Sequence, residues 1–166
     1  MFNLNIQSMK YLMIVFLLPL GIFAQDCDEV PALNQKIVDL SDAKLKKKVG
    51  TGECWDLAQY VLDETGADWD NFETYGKLID HKSDCIYPGD IIQFKNIKIE
   101  WEEDDLTYIE TMGHHTAIVH EVKDKSTIIL IHQNTGQHGR KVGLTTFHVD
   151  AIKKGTIKVY RPQEGS

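Results

Sequence analysis

No HExxH or CxxC spacing occurs in this chain, so its seven histidines do not read as a zinc signature, and neither a metal nor another cofactor is expected. No repeat, low-complexity tract or linker interrupts residues 25–166. Those residues are expected to form one domain, long enough to bury a core without covalent staples. Positive charge is scarce: 18 Lys and Arg face 25 Asp and Glu, a net charge of −7. That balance argues against a nucleic-acid partner and against passive attraction to polyanionic surfaces. Nothing in the sequence speaks to the oligomeric state.

Long apolar runs are limited to one. "YLMIVFLLPLGIFA", residues 11–24, carries no charge, follows Lys10, and ends on the small residue Ala24. A run of this length with these flanks reads as a secretory signal over residues 1–24 rather than a membrane-spanning helix. The expectation is a chain that starts near Gln25, is secreted or periplasmic, and has no membrane attachment after cleavage.

Cysteine is limited to three: Cys27, Cys54 and Cys85. In an oxidising compartment an odd count leaves one thiol over. Pairing Cys27 with Cys85 would tie the N-terminal segment to the domain and spare Cys54, the cysteine in the most distinctive setting. The count alone leaves other pairings open.

Residues 32–48 place Leu33, Ile37, Leu40 and Leu45 at helical spacing and end in lysines, which predicts a first helix. Gly50 and Gly52 break it. From Cys54 onward, Trp55, Leu57, Ala58, Val61 and Leu62 form the apolar face of a second helix that Gly66 closes. Trp55 is expected in the core, with Glu53 and Asp56 as ordinary acids of a helix start. Residues 69–80 read as polar and partly helical, and "EWEEDD", residues 100–105, as a solvated loop. "PGDIIQF", "HTAIVHEV", "TIILIHQN" and "GTIKVYRP" read as strands, the middle two joined by the turn "KDKS", with Asp90 bonding backbone in the turn before its strand. Helices followed by an antiparallel sheet define an α+β domain.

Cys54 opens a helix, where unpaired amides and the helix dipole favour the thiolate and lower its pKa. The same amides suit a developing oxyanion. Against this stands the ordinary fate of a free cysteine, which is burial. A nucleophile also needs a base, and the hairpin offers one. If "KDKS" is the turn, Val122 faces Thr127, His115 faces Asn134 and Ala117 faces His132, so His115, His132 and Asn134 share one sheet face. His132 or Asn134 would then fix the tautomer of His115. His114 competes with His115, and His120 falls on the opposite face.

These pieces resemble a papain-like cysteine hydrolase of the NlpC and CHAP kind. "GECWDLA", "PGDIIQF", "HHTAIV", "IHQN" and "VYRP" occur in that family's order between Gly50 and Pro162. "GECW" is also similar to the cysteine-proteinase-fold domain of certain fungal actin-patch SH3 proteins. The resemblance implies Cys54 as nucleophile, His115 as base, and His132 (NlpC-like) or Asn134 (papain-like) as the third member. It implies a peptide or peptidoglycan-like amide as substrate. The opposing expectation is the same fold kept as an inactive binding module.

Overall fold

The computed structural model describes Cys27 and residues 29–165; the expected leader and its cleavage point lie outside the described residues. Two α-helices, α1 (Ala32–Asp42) and α2 (Asp56–Thr65), precede all of the strands. The strands are β1 (Ala67–Asp68), β2 (Lys77–Ile79), β3 (Ile91–Glu103), β4 (Leu106–Val122), β5 (Thr127–His132), β6 (Gly143–His148), β7 (Ile152–Arg161) and β8 (Gln163–Glu164). The main sheet runs β2-β7-β3-β4-β5-β6 and every pairing in it is antiparallel, while β1 and β8 form a separate ribbon. The architecture is α+β.

Period-two alternation splits the core across the two faces of the sheet. Ile91, Ile118, Ile131 and Tyr160 pack under Leu33, Ile37, Leu57, Val61 and Leu62 of the helices. Ile92, Phe94, Val119, Leu130, Phe147 and Val159 form a second cluster on the other face. Each fully buried Ile, Leu or Phe contributes about 1.5–3 kcal/mol. Neither α1 nor α2 contributes to the second cluster; the short 3-10 helix Val149–Ala151 packs on it through Ala151 and Val149.

The first helix stops sooner than its apolar spacing predicts. Leu45 leaves the helical path to bridge Val142, and the backbone of Lys46 and Lys47 bonds Val142. Tertiary pairing thus overrides local propensity, and the lysines lie beyond the helix rather than in its last turn. Gly66 ends α2 in the left-handed conformation, as expected, at φ 66°. The stretch expected to be partly helical instead contains β2. Gly76 makes that possible: at φ 124°, a Cβ there would lie 2.4 Å from the carbonyl oxygen of Arg161.

"EWEEDD" is not a loop. It is the end of β3 and a two-residue turn, with Asp104 at φ 51° and Asp105 at φ 61°, the pattern of a type I′ hairpin. Ile97 and Ile99 are buried in the alternating frame and Trp101 stacks on Tyr108, so the ladder continues through the acids. Strand β6 is also additional to the expected set.

Near the turn β5 pairs with β4 one residue away from the expected register, Val122 opposite Ile128 and Glu121 opposite Ile129. A bulge at His120 then restores the expected frame, with Val119 opposite Leu130 and Ile118 opposite Ile131. His120 Nε2 lies 2.9 Å from Asp42 Oδ1, joining the bulge to α1.

Beside the helices a buried carboxylate ties distant segments together. Asp90 accepts from Asn34 Nδ2 (2.9 Å), the Tyr87 N–H (2.9 Å), and Arg161 Nε and Nη2 (3.1 and 2.9 Å). Arg161 also donates to the Cys85 carbonyl. Cys85 is bridged to Cys27 with Cα atoms 5.7 Å apart, and Cys54 is the free cysteine among the described residues.

Candidate active site

Cys54 sits two residues before α2, on a loop with unusually complete support. Asp56 Oδ2 accepts from Thr51 Oγ1 (2.8 Å) and from the N–H groups of Gly52 (2.9 Å) and Glu53 (3.1 Å). Asp56 is therefore buried and holds the loop, not an ordinary exposed acid. A Cβ at Gly50, φ 54°, would meet that carboxylate at 2.8 Å, so the loop closes only over glycine. Trp55, expected in the core, is 38% exposed beside the thiol.

Gln133 ties this loop to the end of β5. It is fully buried, its Oε1 accepts from Val49 N–H (3.1 Å), and its Nε2 donates to the carbonyls of Val49 (3.0 Å) and Glu53 (2.8 Å). The loop before the thiol and the strand carrying His132 are thereby one unit.

The thiol itself is held at an open strand edge. Val119 bonds the Gly89–Asp90 backbone on the β3 side, so even-numbered residues of β4 direct their N–H groups toward β5. Strand β5 ends at His132, and the Thr116 N–H beyond it turns to the sulfur of Cys54 instead. Burial pushes the thiol pKa up, and the Thr116, Cys54 and Trp55 amides that favour the thiolate do not overcome it; Glu53 adds to the rise. The depressed pKa expected from the helix start is not found, because desolvation outweighs the amides.

His115 and His132 meet as the sheet-face reading requires. His115 Nε2 lies 2.9 Å from His132 Nδ1, and His132 Nε2 lies 3.0 Å from Thr145 Oγ1 on β6. With His115 Nε2 protonated, each imidazole donates along the chain toward Thr145 and every bonded nitrogen has one role. His115 Nδ1 then remains the basic nitrogen. Burial lowers the pKa of His115 to about 4, helped by His114, and that of His132 to about 3, helped by His115 and His138. Both rings are neutral at neutral pH. Among the described residues no hydrogen bond joins the sulfur to His115; the sulfur's partner is the next peptide along the strand.

Asn134, the alternative orienting residue, points elsewhere. Its backbone turns left-handed at φ 63°, just past the end of β5, and its Nδ2 donates to Glu53 Oε2 at 2.9 Å. Arg140 holds the other oxygen of Glu53 at 3.0 Å. His114, the competitor of His115, is exposed and lies 3.7 Å from Glu73. His138 bonds the Leu144 carbonyl and His148 lies against Trp101. No three His, Cys, Asp or Glu among the described residues are grouped to hold a metal ion.

A cavity of about 340 Å³ opens on the histidine pair, with the segment Glu110–His115 as one wall, Asn134–Gln137 as the other, and His132 and Thr145 between them. Cys54 is not on its wall. Sequence reasoning missed Thr145, Gln133 and Thr116. Thr145 lies on the unforeseen β6, Gln133 was hidden between two more conspicuous residues, and Thr116 acts through its backbone.

This geometry, a thiol before a helix and a histidine pair on a facing antiparallel sheet, is that of the papain-like cysteine-proteinase fold. The model of the AIM3/BBC1 cysteine proteinase-fold domain matches residues 32–166, and the chain belongs to that family. Two solved structures of Ly7917, one with the hydrolyzing product of MDP, are similar in fold at TM-score 0.52 with 14% and 15% sequence identity. Each similarity covers 78% of this chain and 62% of the Ly7917 chain. No curated protein matches the chain.

Proposed function

We propose that this chain is a secreted cysteine hydrolase that cleaves an amide or peptide bond through Cys54, His115 and His132. The observation that carries the reading is the free thiol of Cys54, held one peptide from His115, whose Nε2 is already committed to His132. The disulfide between Cys27 and Cys85 supports an oxidising, secreted or periplasmic setting. Similarity to a protein solved with the hydrolyzing product of MDP supports a peptidoglycan-like amide as the substrate.

At rest the site holds a thiol and a neutral imidazole, not a preformed ion pair, since burial raises the one pKa and lowers the other. Catalytic hydrogen bonds tighten when substrate binds. The sulfur then exchanges the Thr116 N–H for His115 Nδ1, which takes its proton as the S–C bond forms. His132 holds the ring through Nε2 and stabilises the imidazolium. The amides of Cys54 and Trp55 face the developing oxyanion. Collapse breaks the C–N bond, His115 returns the proton to the departing amine, and water, deprotonated by His115, hydrolyses the thioester. No cofactor enters the reaction.

Incubating the wild-type protein and its Cys54→Ala variant with purified peptidoglycan, with fragments read by mass spectrometry, tests this. Fragments released by wild type alone support the reading. Identical traces remove peptidoglycan as the substrate. Failure of Cys54 to react with iodoacetamide at any pH at which the protein stays folded would remove the nucleophile.

A further inference from the structure

A second cavity, of about 450 Å³, lies on the opposite side of the Gly113–His114 segment from the histidine pair; those two residues line both spaces. Its other walls come from three adjacent strands. Gln93 on β3 stands between Thr116 on β4 and Lys158 on β7, and Lys95 stands between His114 and Thr156. By strand alternation these side chains share the sheet face that carries Ile91, Ile118 and Tyr160, the face covered by the helices farther along.

Two features of this cavity point to an anionic ligand. Gln93 is 7% exposed, and its Nε2 has no hydrogen-bond partner. A buried amide donor left unmade carries the full desolvation penalty of that group, and a half-turn of the terminal amide, which exchanges Nε2 with Oε1, would present it to a ligand acceptor in the cavity. Lys95 and Lys158 flank it, and neither is in a salt bridge among the described residues, although the chain is acidic overall. Glu73, the single acid on the wall, lies 3.7 Å from the exposed His114.

The cavity is also placed for the proposed chemistry. Gln93 is directly opposite Thr116, whose N–H holds the sulfur of Cys54, and the Tyr75 hydroxyl lies 3.3 Å from Thr116 Oγ1 beside the same spot. A group bound by Gln93 and the two lysines therefore sits one strand over from the residue whose N–H meets the sulfur, across the Gly113–His114 ridge from the histidine pair.

We infer that this cavity is a carboxylate-binding subsite, formed by Gln93, Lys95 and Lys158, that selects acidic peptides whose side-chain carboxylate lies close to the scissile amide. The inference rests on the hydrolase reading for its purpose but not for its test. The probe is N-acetyl-glutamate α-amide, compared with the neutral and nearly isosteric N-acetyl-glutamine α-amide. Both are titrated into ¹⁵N-labelled Cys54→Ala protein, in which no turnover occurs. The side-chain amide signal of Gln93, assigned by its loss in a Gln93→Met variant, should shift saturably with the acid. The affinity should fall about fivefold in the Lys95→Met/Lys158→Met double variant and weaken with added salt. No shift, equal binding of acid and amide, or an unchanged affinity in the double variant overturns the subsite. Because binding is read without catalysis, a protein that digests peptidoglycan yet ignores the acid loses only this inference. One that binds the acid but digests nothing loses only the proposed substrate.

Discussion

Asp90 and His115 lie at adjacent strands of one sheet, and both are buried among polar partners, yet their surroundings differ in kind. Every lone pair of the Asp90 carboxylate is engaged, by Arg161, Asn34 and the Tyr87 N–H. The histidine chain is engaged at one end only: Thr145 and His132 settle His115 Nε2, while Nδ1 has no hydrogen-bond partner among the described residues. A saturated carboxylate holds the fold and has no lone pair left for another partner. A buried chain with one uncommitted basic nitrogen is open to a further partner.

Cys54→Ala provides the widest separation between the two regions. Hydrolysis of peptidoglycan should fall by about 10⁴-fold or more, while the unfolding free energy changes by no more than about 1 kcal/mol. Residual activity near the wild-type level would mean that the sulfur is not the nucleophile. Asp90→Ala should do the reverse. Removing the carboxylate leaves a largely buried guanidinium unpaired, at a cost of about 3–5 kcal/mol in chemical denaturation. Whatever fraction stays folded should retain its thiol reactivity.

His132→Ala releases the ring of His115 and should lower the hydrolysis rate about 10²- to 10³-fold with modest loss of stability. The pH profile sharpens this test. His115 is lowered to about 4, so its neutral form persists between pH 7 and 5, where an ordinary imidazole would protonate. The wild-type rate should therefore hold across that interval and fall only toward pH 4. Stability follows the same sign: unfolded histidines take up protons below about pH 6.5 while the buried pair resists, so stability drops as pH falls from there toward 4. On the alkaline side the raised thiol pKa means that iodoacetamide reactivity should still be climbing above pH 9. A plateau below neutrality would indicate a resting ion pair.

Asn134→Ala should have the smallest effect. It frees one oxygen of an exposed glutamate that Arg140 still holds, so stability should change by about 0.5 kcal/mol or less and the rate by less than about threefold. A loss as large as that of His132→Ala would exchange the roles of the two residues.

Much of this was legible in the residues themselves. The spacing of Leu57, Val61 and Leu62, with Gly66 behind them, marked α2, and alternation marked β4, β5 and β7. The meeting of His115 and His132 followed from the hairpin register, but partly by compensation. The turn pairs one residue differently than "KDKS" suggests, and the His120 bulge restores the frame. Bulges arise from tertiary fit and leave little local signal. The thiol's raised pKa was equally hidden, because a helix start announces its amides while desolvation depends on what packs around the sulfur. "EWEEDD" misled because charge masked a strand whose alternation resides in Ile97, Ile99 and Trp101. Strand β6 was missed because its inward positions include Gly143 and Thr145, neither of which reads as core.

Gln133 has a mechanical consequence. Its three hydrogen bonds splice the backbone at Val49 and Glu53 to the last turn of chain after β5, deep in the protein. The two halves of the site therefore should not fray separately. In native-state hydrogen exchange, the amides of Val49 and Gly52 should open together with those of Leu130 and Ile131, as one cooperative unit, and Gln133→Ala should release the former pair alone.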